Sequence, residues 1–379
     1  MGTHPNGPAH LFSSPSRPLS SLLSTNPQSY LGQSLLSKFP NTSTHRPQHT
    51  DPELPFLFKI LSIAKALPLQ AHPDKALAEH LNAKDSENKN FVDANHKPEI
   101  ALALGDFRGF VGFKPLEEIY EHINSTRELK DAITGSSSYP PFGPSGTSSV
   151  KYIISSLLKR PQSEITPLVE SLVKRTRDSS DPLHKLVQTL NAQYPGDVGV
   201  LIAPFLMNLI TLRKGEAIYI PADDAHAYLD GDIIECMAVS DNVINAAFVP
   251  PEDRDNETFV EMLTYTSRPA SQFALKGVQY PKSLTKRTVA YDPPLEEFTV
   301  LWTRLGGGTA DEKEDMEEVL EAVKGPTVGI VTEGTVEVKV GGEKEMFEKG
   351  ACFFVKAEEK IGVTAKGEKA EVFWATVVE

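Results

Sequence analysis

Three separated stretches of the chain carry side chains that suit a divalent metal ion. Leu67-Pro68-Leu69-Gln70-Ala71-His72-Pro73-Asp74-Lys75 brings Gln70 and His72, Asn95-His96-Lys97-Pro98-Glu99 brings Glu99, and Pro221-Ala222-Asp223-Asp224-Ala225-His226-Ala227-Tyr228 brings His226. Gln70 and His72 are two apart, so on a strand they point to one face. Pro73 then ends that strand's hydrogen bonding. Two imidazoles and a carboxylate with an open position are typical of a catalytic divalent site. A Gln70 carbonyl is neutral and keeps the ion's charge high, which suits a Lewis acid polarising a substrate oxygen. Spacing alone fits ordinary loop histidines about equally well. His96 is a further candidate donor, but its polar run, Asp93-Ala94-Asn95-His96-Lys97, reads as solvated surface.

Other side chains near these stretches have chemistry to offer. Lys75 and Lys97 can neutralise an anionic substrate group, or can be plain surface lysines. Tyr228 shares a strand face with His226 and can orient a substrate or a ligand, or form wall. Glu235 sits in the apolar run Ile233-Ile234-Glu235-Cys236-Met237. A carboxylate there is costly unless it is paired or functional, so proton transfer and a structural ion pair are both open. Cys236 points to the opposite face and reads as a small core residue.

The elements that must position these groups follow from periodicity. Leu54–Ala66 is apolar with Lys59 and Lys65 interspersed and predicts one or two strands; residues 76–82 predict a short helix. Ile100–Leu104 and Phe107–Phe113 predict strands. From Pro115 the period changes to that of amphipathic helices. One carries Leu116, Ile119, Tyr120, Ile123, Leu129 and Ile133. Others carry Val150–Leu158, Ile165–Val173 and Pro182–Tyr194, and a last is capped by Asp197 and runs through Met207. Residues 134–148 read as loop. Strands resume after Leu212, with Gly231-Asp232 as a tight turn and a helix near Phe259–Tyr265. Short strands with turn signals then fill Ala290–Glu379, as in an antiparallel barrel or sandwich. Residues 1–53 are rich in Pro, Ser, Thr, Asn and His and predict loop with one or two short helices.

Composition bounds the function. The chain has 379 residues, 40% hydrophobic and 23% charged, and a net charge of -13. This fits a globular protein of more than one domain and argues against a general nucleic-acid binder. Two cysteines make no disulfide framework, and a reducing, cytoplasmic setting is the simplest reading. We find no membrane-spanning run and no secretory signal pattern.

The same motifs carry a resemblance. Met1-Gly2-Thr3-His4-Pro5, Pro55-Phe56-Leu57-Phe58-Lys59, the Gln70–Lys75 and Asn95–Glu99 stretches, Gly112-Phe113-Lys114-Pro115 and Tyr194-Pro195-Gly196-Asp197-Val198-Gly199 belong to it. So do Pro221-Ala222, His226-Ala227-Tyr228, Gly231-Asp232, Glu235-Cys236-Met237-Ala238 and Ser240-Asp241-Asn242-Val243. In this order they resemble type I mannose-6-phosphate isomerase, also called phosphomannose isomerase. The resemblance implies a mainly β fold with a helical insert: cupin-type β-barrel domains plus a helical domain. It implies a catalytic cupin domain over residues 1–114 and 211–285, a helical insert over 115–210 and a C-terminal β-barrel over 286–379. It implies one zinc ion per chain on Gln70, His72, Glu99 and His226, with no second such site, since no histidine follows His226. It implies interconversion of mannose 6-phosphate and fructose 6-phosphate through an enediol, feeding mannosylation and GDP-mannose. Lys97, Tyr228, Glu235 and Asn245 are the catalytic candidates, Asn245 at the position of a family Arg, with Lys75 and Lys97 the substrate-binding ones and a monomer the expected state.

Four departures accompany the likeness. Family chains begin earlier, with strands and an acidic residue ahead of Met-Gly-Thr-His-Pro. Pro68 stands where the family has Ser. Asn245 stands at the position of an Arg thought to act at the active site, and Pro251 at that of a further basic residue, with Arg254 nearby in another register. These differences leave two expectations: an active isomerase, or a non-catalytic zinc-binding cupin paralogue with a binding or regulatory role.

Overall fold

The computed structural model describes residues 1–39, 53–85, 90–135, 142–143, 149–306 and 316–378. Most of the predicted loop at 134–148 lies outside these residues. The candidate donors Gln70, Glu99 and His226 stand on an eight-stranded sheet whose pairings are all antiparallel. Its central strands are Glu99–Phe113 and His226–Ala238, each buried along most of its length. Ile100–Leu104 and Phe107–Phe113, read as two strands, are one. It changes partners midway: Ala217–Ile220 flanks its first half and Met207–Leu212 its second. The His226 strand does the same, pairing with Leu69–Ala71 at its start and Phe56–Ile63 at its end. Ile244–Ala247 lies beyond Leu69–Ala71. Among the described residues, strand pairing does not join the two ends of this path.

Gly231-Asp232 is not the predicted turn. It lies inside the thirteen-residue strand His226–Ala238. Arg108 pairs with Asp230 and Gly109 with Tyr228, which leaves Leu229 as an extra residue. The strand shifts again where Phe107 meets Gly231. Bulges of this kind change which alternate residues face a given side. Here Ala227 and Leu229 pack toward the helices, while Tyr228 and Ile233 join the core on the sheet's other face. The bulge thus puts Glu235 on the same face as His226 and Tyr228. Gly231 has φ +109, and a Cβ there would stand 2.4 Å from the Asp106 carbonyl oxygen. Only glycine fits.

The helices cover one face of this sheet. The run predicted as a single helix from Leu116 is two, Leu116–Ser125 and Arg127–Thr134, meeting at Thr126. Val150–Lys159, Gln162–Thr176 and Pro182–Gln193 follow the predicted periods. The last helix, Gly199–Leu206, stops before Met207, which starts a strand. Ile153, Leu157, Leu172 and Leu190 pack with Leu69, Ala71, Ala227 and Ile244 in one core.

A second core joins the sheet to the C-terminal part. Phe58, Ile100, Leu102, Ile234 and Cys236 meet Val300, Trp302, Ile330 and Phe373. The latter belong to a six-stranded sheet whose opposite face packs on a four-stranded one through Leu301, Val336, Val363 and Trp374. The predicted C-terminal strands are present, with Glu317–Leu320 and Glu343–Glu348 added. Residues 1–39 form a two-stranded hairpin and three short helices, more structure than their composition predicts. Leu23, Leu31 and Leu35 from them enter the second core.

Candidate metal centre

Gln70 is the cross-strand partner of His226 on one side and of Asn245 on the other. Facing residues on adjacent strands project together, so His226, Gln70 and Asn245 form a row. Their sequence neighbours Leu69, Ala71, Ala227, Ile244 and Ala246 bury themselves on the opposite, helix-covered face. His72 follows directly after the Gln70 strand. Its chain is held by Asp223, whose amide donates to the His72 carbonyl at 2.8 Å. Asp74 then caps the helix Lys75–Lys84 by accepting from the Leu77 amide.

The donors converge. His72 Nε2 lies 3.2 Å from Glu99 Oε1, His226 Nε2 3.6 Å from Glu99 Oε2, and the Gln70 amide 3.3 Å from His226 Nε2. Donors set tetrahedrally about 2.0–2.2 Å from one ion stand roughly 3.4 Å apart, so these spacings suit a single divalent cation. His72, Glu99 and His226 are all buried. His72 Nε2 has no hydrogen-bond partner despite its nearness to Glu99, as a nitrogen reserved for a metal would. A half turn of the Gln70 amide puts its oxygen toward the site.

Electrostatics prepare the same set. Burial and the Lys97 charge lower the His72 pKa. Burial, with His72 beside it, pushes His226 down to about 4. Both rings are therefore neutral near pH 7, the form that binds metals. Burial works to raise Glu99, but His72, Lys97 and His226 overcome it and hold the carboxyl well below the usual range. Tyr228 donates its hydroxyl to Glu99 Oε2 at 3.2 Å, and burial beside Glu99 raises its phenol well above the ordinary value. Lys97 Nζ lies 3.6 Å from Glu99 Oε1.

Glu235 occupies the same face and is paired: Lys59, its cross-strand partner, places Nζ 2.8 Å from Oε2. Burial and the Glu99 charge push the Glu235 carboxyl up to about 7 against the pull of Lys59. A carboxyl so placed exchanges protons near neutral pH.

Other groups fall elsewhere. His96 is neither a donor to this site nor freely solvated; its Nε2 meets Glu297 Oε1 of the C-terminal part at 2.7 Å. Lys75 starts the helix after His72 and lines a small cavity with Asn95, Val239 and Glu297. Pro251 opens a short 3-10 turn. Arg254 is buried against Asp197, 2.7 Å from its Oδ2, and is committed there. Cys236 is core, as its pattern indicates.

Sequence reasoning passed over the groups behind the donors. Asp224 gives its carbonyl to His226 Nδ1 at 3.3 Å and pairs with Arg268. Asn242 gives its carbonyl to His72 Nδ1 at 2.8 Å. Asp93 braces the turn that holds Asn242. The Asp93-x-Asn95 spacing carries a local signal, since Asp side chains accept from the amide two residues on.

The chain is similar to known proteins. The family description "Phosphomannose isomerase type I, catalytic domain" matches residues 1–116, and "Phosphomannose isomerase type I, helical insertion domain" matches 121–207. The mannose-6-phosphate isomerase of Saccharomyces cerevisiae is 37% identical over 100% of this chain and 88% of its own length. That of Candida albicans is 36% identical over 96% of this chain and 85% of its own. Among solved structures, the apo form of mannose 6-phosphate isomerase from Salmonella typhimurium superposes with a TM-score of 0.82 at 23% identity, covering 100% of this chain and 90% of that one. A mannose 6-phosphate isomerase described as holo and zinc bound superposes at 0.81 and 23% identity over 99% and 89%. The structures share the fold, and the full-length sequence relatives go further: the chain belongs to the type I phosphomannose isomerase family.

Proposed function

We propose that the chain is a zinc-dependent aldose–ketose isomerase interconverting mannose 6-phosphate and fructose 6-phosphate. The observation that carries the reading is the buried His72–Glu99–His226 cluster, with Gln70 beside it, in a chain whose full-length relatives bear that isomerase name. Gln70, His72, Glu99 and His226 hold one zinc ion. Bound there, zinc supplies a Lewis acid for the charge that develops on the sugar oxygens.

The chain's own residues do the remaining work. In the direction of fructose 6-phosphate, a base takes the proton from C2 as O1 gains one, which gives the enediol, and returns it at C1 as O2 gives up its own. We assign this transfer to Glu235, whose carboxyl near 7 takes and releases a proton at working pH. Lys59 holds it in place and keeps its pKa from rising further. Tyr228 fixes Glu99 through its hydroxyl. Lys97, beside Glu99, offers a positive charge to substrate oxygens, and Lys75 one to the phosphate. Asn245 stands in the row beside Gln70 and presents an amide to sugar hydroxyls. It replaces a charged group with a neutral donor and acceptor, and the fixed charges come from the lysines instead.

The wider assignment follows from this reading. The donor-bearing sheet, with residues 1–114 and 211–285, is a cupin-type catalytic domain; 115–210 is its helical insert, whose last residues 207–210 already open a strand of that sheet, and 286–379 is a second β-domain. The product feeds mannosylation through GDP-mannose. The charge of -13 argues against nucleic-acid partners, and the two cysteines fit a reducing, cytoplasmic setting; a monomer without membrane partners is the expected state. No helix among the described residues is long and apolar enough to cross a membrane.

A coupled assay of mannose 6-phosphate conversion tests the proposal on zinc-loaded and EDTA-treated protein. Metal-dependent turnover is expected. A folded chain with one bound zinc and no turnover overturns it.

A further inference from the structure

A buried carboxylate that no catalytic role uses lies behind the metal site. Asp93 is 1% exposed. Its Oδ1 accepts from the Ser240 hydroxyl at 2.8 Å, the Asn95 amide at 3.0 Å and Asn242 Nδ2 at 3.2 Å. Its Oδ2 accepts from the Asp241 amide at 2.7 Å, and its carbonyl from Asn242 Nδ2 at 2.9 Å. Burying a carboxylate is costly, and this set of donors offsets the cost. One residue thereby grips the whole turn 240–242.

That turn orients a ligand. Asn242 is fully buried and presents its backbone carbonyl to His72 Nδ1 at 2.8 Å. A carbonyl can only accept, so Nδ1 carries the ring proton and the Nε2 lone pair faces Glu99. The same carboxylate reaches the other ligand segment. The Asn95 carbonyl accepts from Ser240 Oγ and Asn242 Nδ2, each at 3.0 Å, and Asn95 Nδ2 donates to the Val239 carbonyl at 2.9 Å. Lys97 and Glu99 follow directly along the chain. Asp93 therefore joins the segment that delivers Glu99 to the turn that orients His72.

We propose that Asp93 is a positioning residue of the metal centre: it fixes the Asn242 carbonyl that selects the His72 tautomer and sets it in register with Glu99. The proposal rests on the metal site assigned above. Groups behind metal ligands set ring orientation and basicity, and losing one costs about 10–100-fold in affinity.

Asp93→Asn keeps the shape and turns an accepting oxygen into a donor that faces donors. Zinc affinity of the stripped chain, by competition with a chromogenic chelator, is expected to weaken about 10–100-fold. The His72 tautomer, read by long-range 1H–15N correlation on metal-free protein, is expected to be Nδ1–H in the wild type and mixed in the variant. Ser240→Ala removes one donor from the hub more gently, and is expected to move both readouts in the same direction by several-fold less. It decides the matter if Asp93→Asn does not fold. The tautomer needs no metal, so a wild type that binds no zinc yet holds Nδ1–H overturns the metal reading and leaves the positioning intact. Unchanged zinc affinity and an unchanged tautomer in the folded variants overturn the proposal, even where the melting temperature drops, because a turn staple alone lowers stability.

Discussion

Replacing Arg254 by alanine separates a structural arginine from a substrate-binding one. Arg254 is the basic residue nearest the position where the family resemblance leads one to expect a charge. Its side chain and that of Asp197 are only 9% and 8% exposed, with Nη2 2.7 Å from Oδ2. It also donates from Nε and Nη2 to the Val249 carbonyl, at 3.2 and 3.0 Å, and from Nη1 to Gln162 Oε1 at 3.3 Å. Removing one partner of a buried pair typically costs about 3–5 kcal/mol. Asp197 keeps amide donors from Gly199 at 2.7 Å and Phe248 at 3.2 Å, so the lower end applies, about 3 kcal/mol. Burial already raises the Asp197 pKa, against the pull of Arg254 and the two amides. A carboxyl raised in the folded state contributes stability at low pH that is lost as pH rises through its folded pKa. Without Arg254 the folded pKa rises further, so the deficit is larger at high pH and shrinks on acidification. Urea unfolding of both proteins at pH 7.5 and 5.5 reads this directly. A loss within about 1 kcal/mol, the range of exposed pairs, or a raised KM with unchanged stability, refutes the reasoning and makes Arg254 a substrate contact.

His72→Ala is expected to abolish turnover and the thermal stabilisation by added zinc, which in the wild type reaches about 2.7 kcal/mol at a hundredfold excess over Kd; retained zinc-dependent stabilisation contradicts the ligand set. Glu235→Gln is expected to lower kcat by about 10²–10⁴ with zinc still bound. In the wild type only the ionised Glu235 accepts a proton, so kcat/KM falls as pH drops through about 7. Lys59→Met removes the charge that holds this pKa down and should move the acid limb to higher pH; an unmoved limb assigns the titration to another group. Asn245→Ala is expected to raise KM for the sugar phosphate while the chelator-measured zinc affinity stays unchanged, and a variant with wild-type KM removes Asn245 from the site.

Much of this arrangement was legible in the chain. The helices after Pro115 follow from apolar spacing, and the ligand-bearing segments from donor types beside proline stops. What escaped has physical causes. Gly231-Asp232 reads as a turn because glycine next to aspartate is turn chemistry. Here the same permissive φ serves a bulge within one long strand. Met207–Leu212 continues an apolar run, and periodicity cannot divide such a run between a helix and a strand. Glu343–Glu348 has mostly exposed side chains and no apolar alternation, yet it pairs along its full length with Thr335–Val340. Tertiary pairing decided it, not its own composition.

The site shows the same division. Donor types can be read from sequence, but the face each occupies cannot. His226 and Glu235 are nine residues apart, an odd separation that puts them on opposite sides of a regular strand. The shift at Leu229 and Gly231 reverses the alternation between them, bringing both beside Glu99. An insertion or deletion of one residue between Tyr228 and Ile233 therefore does more than lengthen a connection. It turns either His226 or Glu235 out of the site, and leaves both residue types in place. Lys59 reinforces the register from outside, since it can meet Glu235 only while Phe56–Ile63 keeps its present pairing. The bulge is as much a part of the active site as the side chains it aligns.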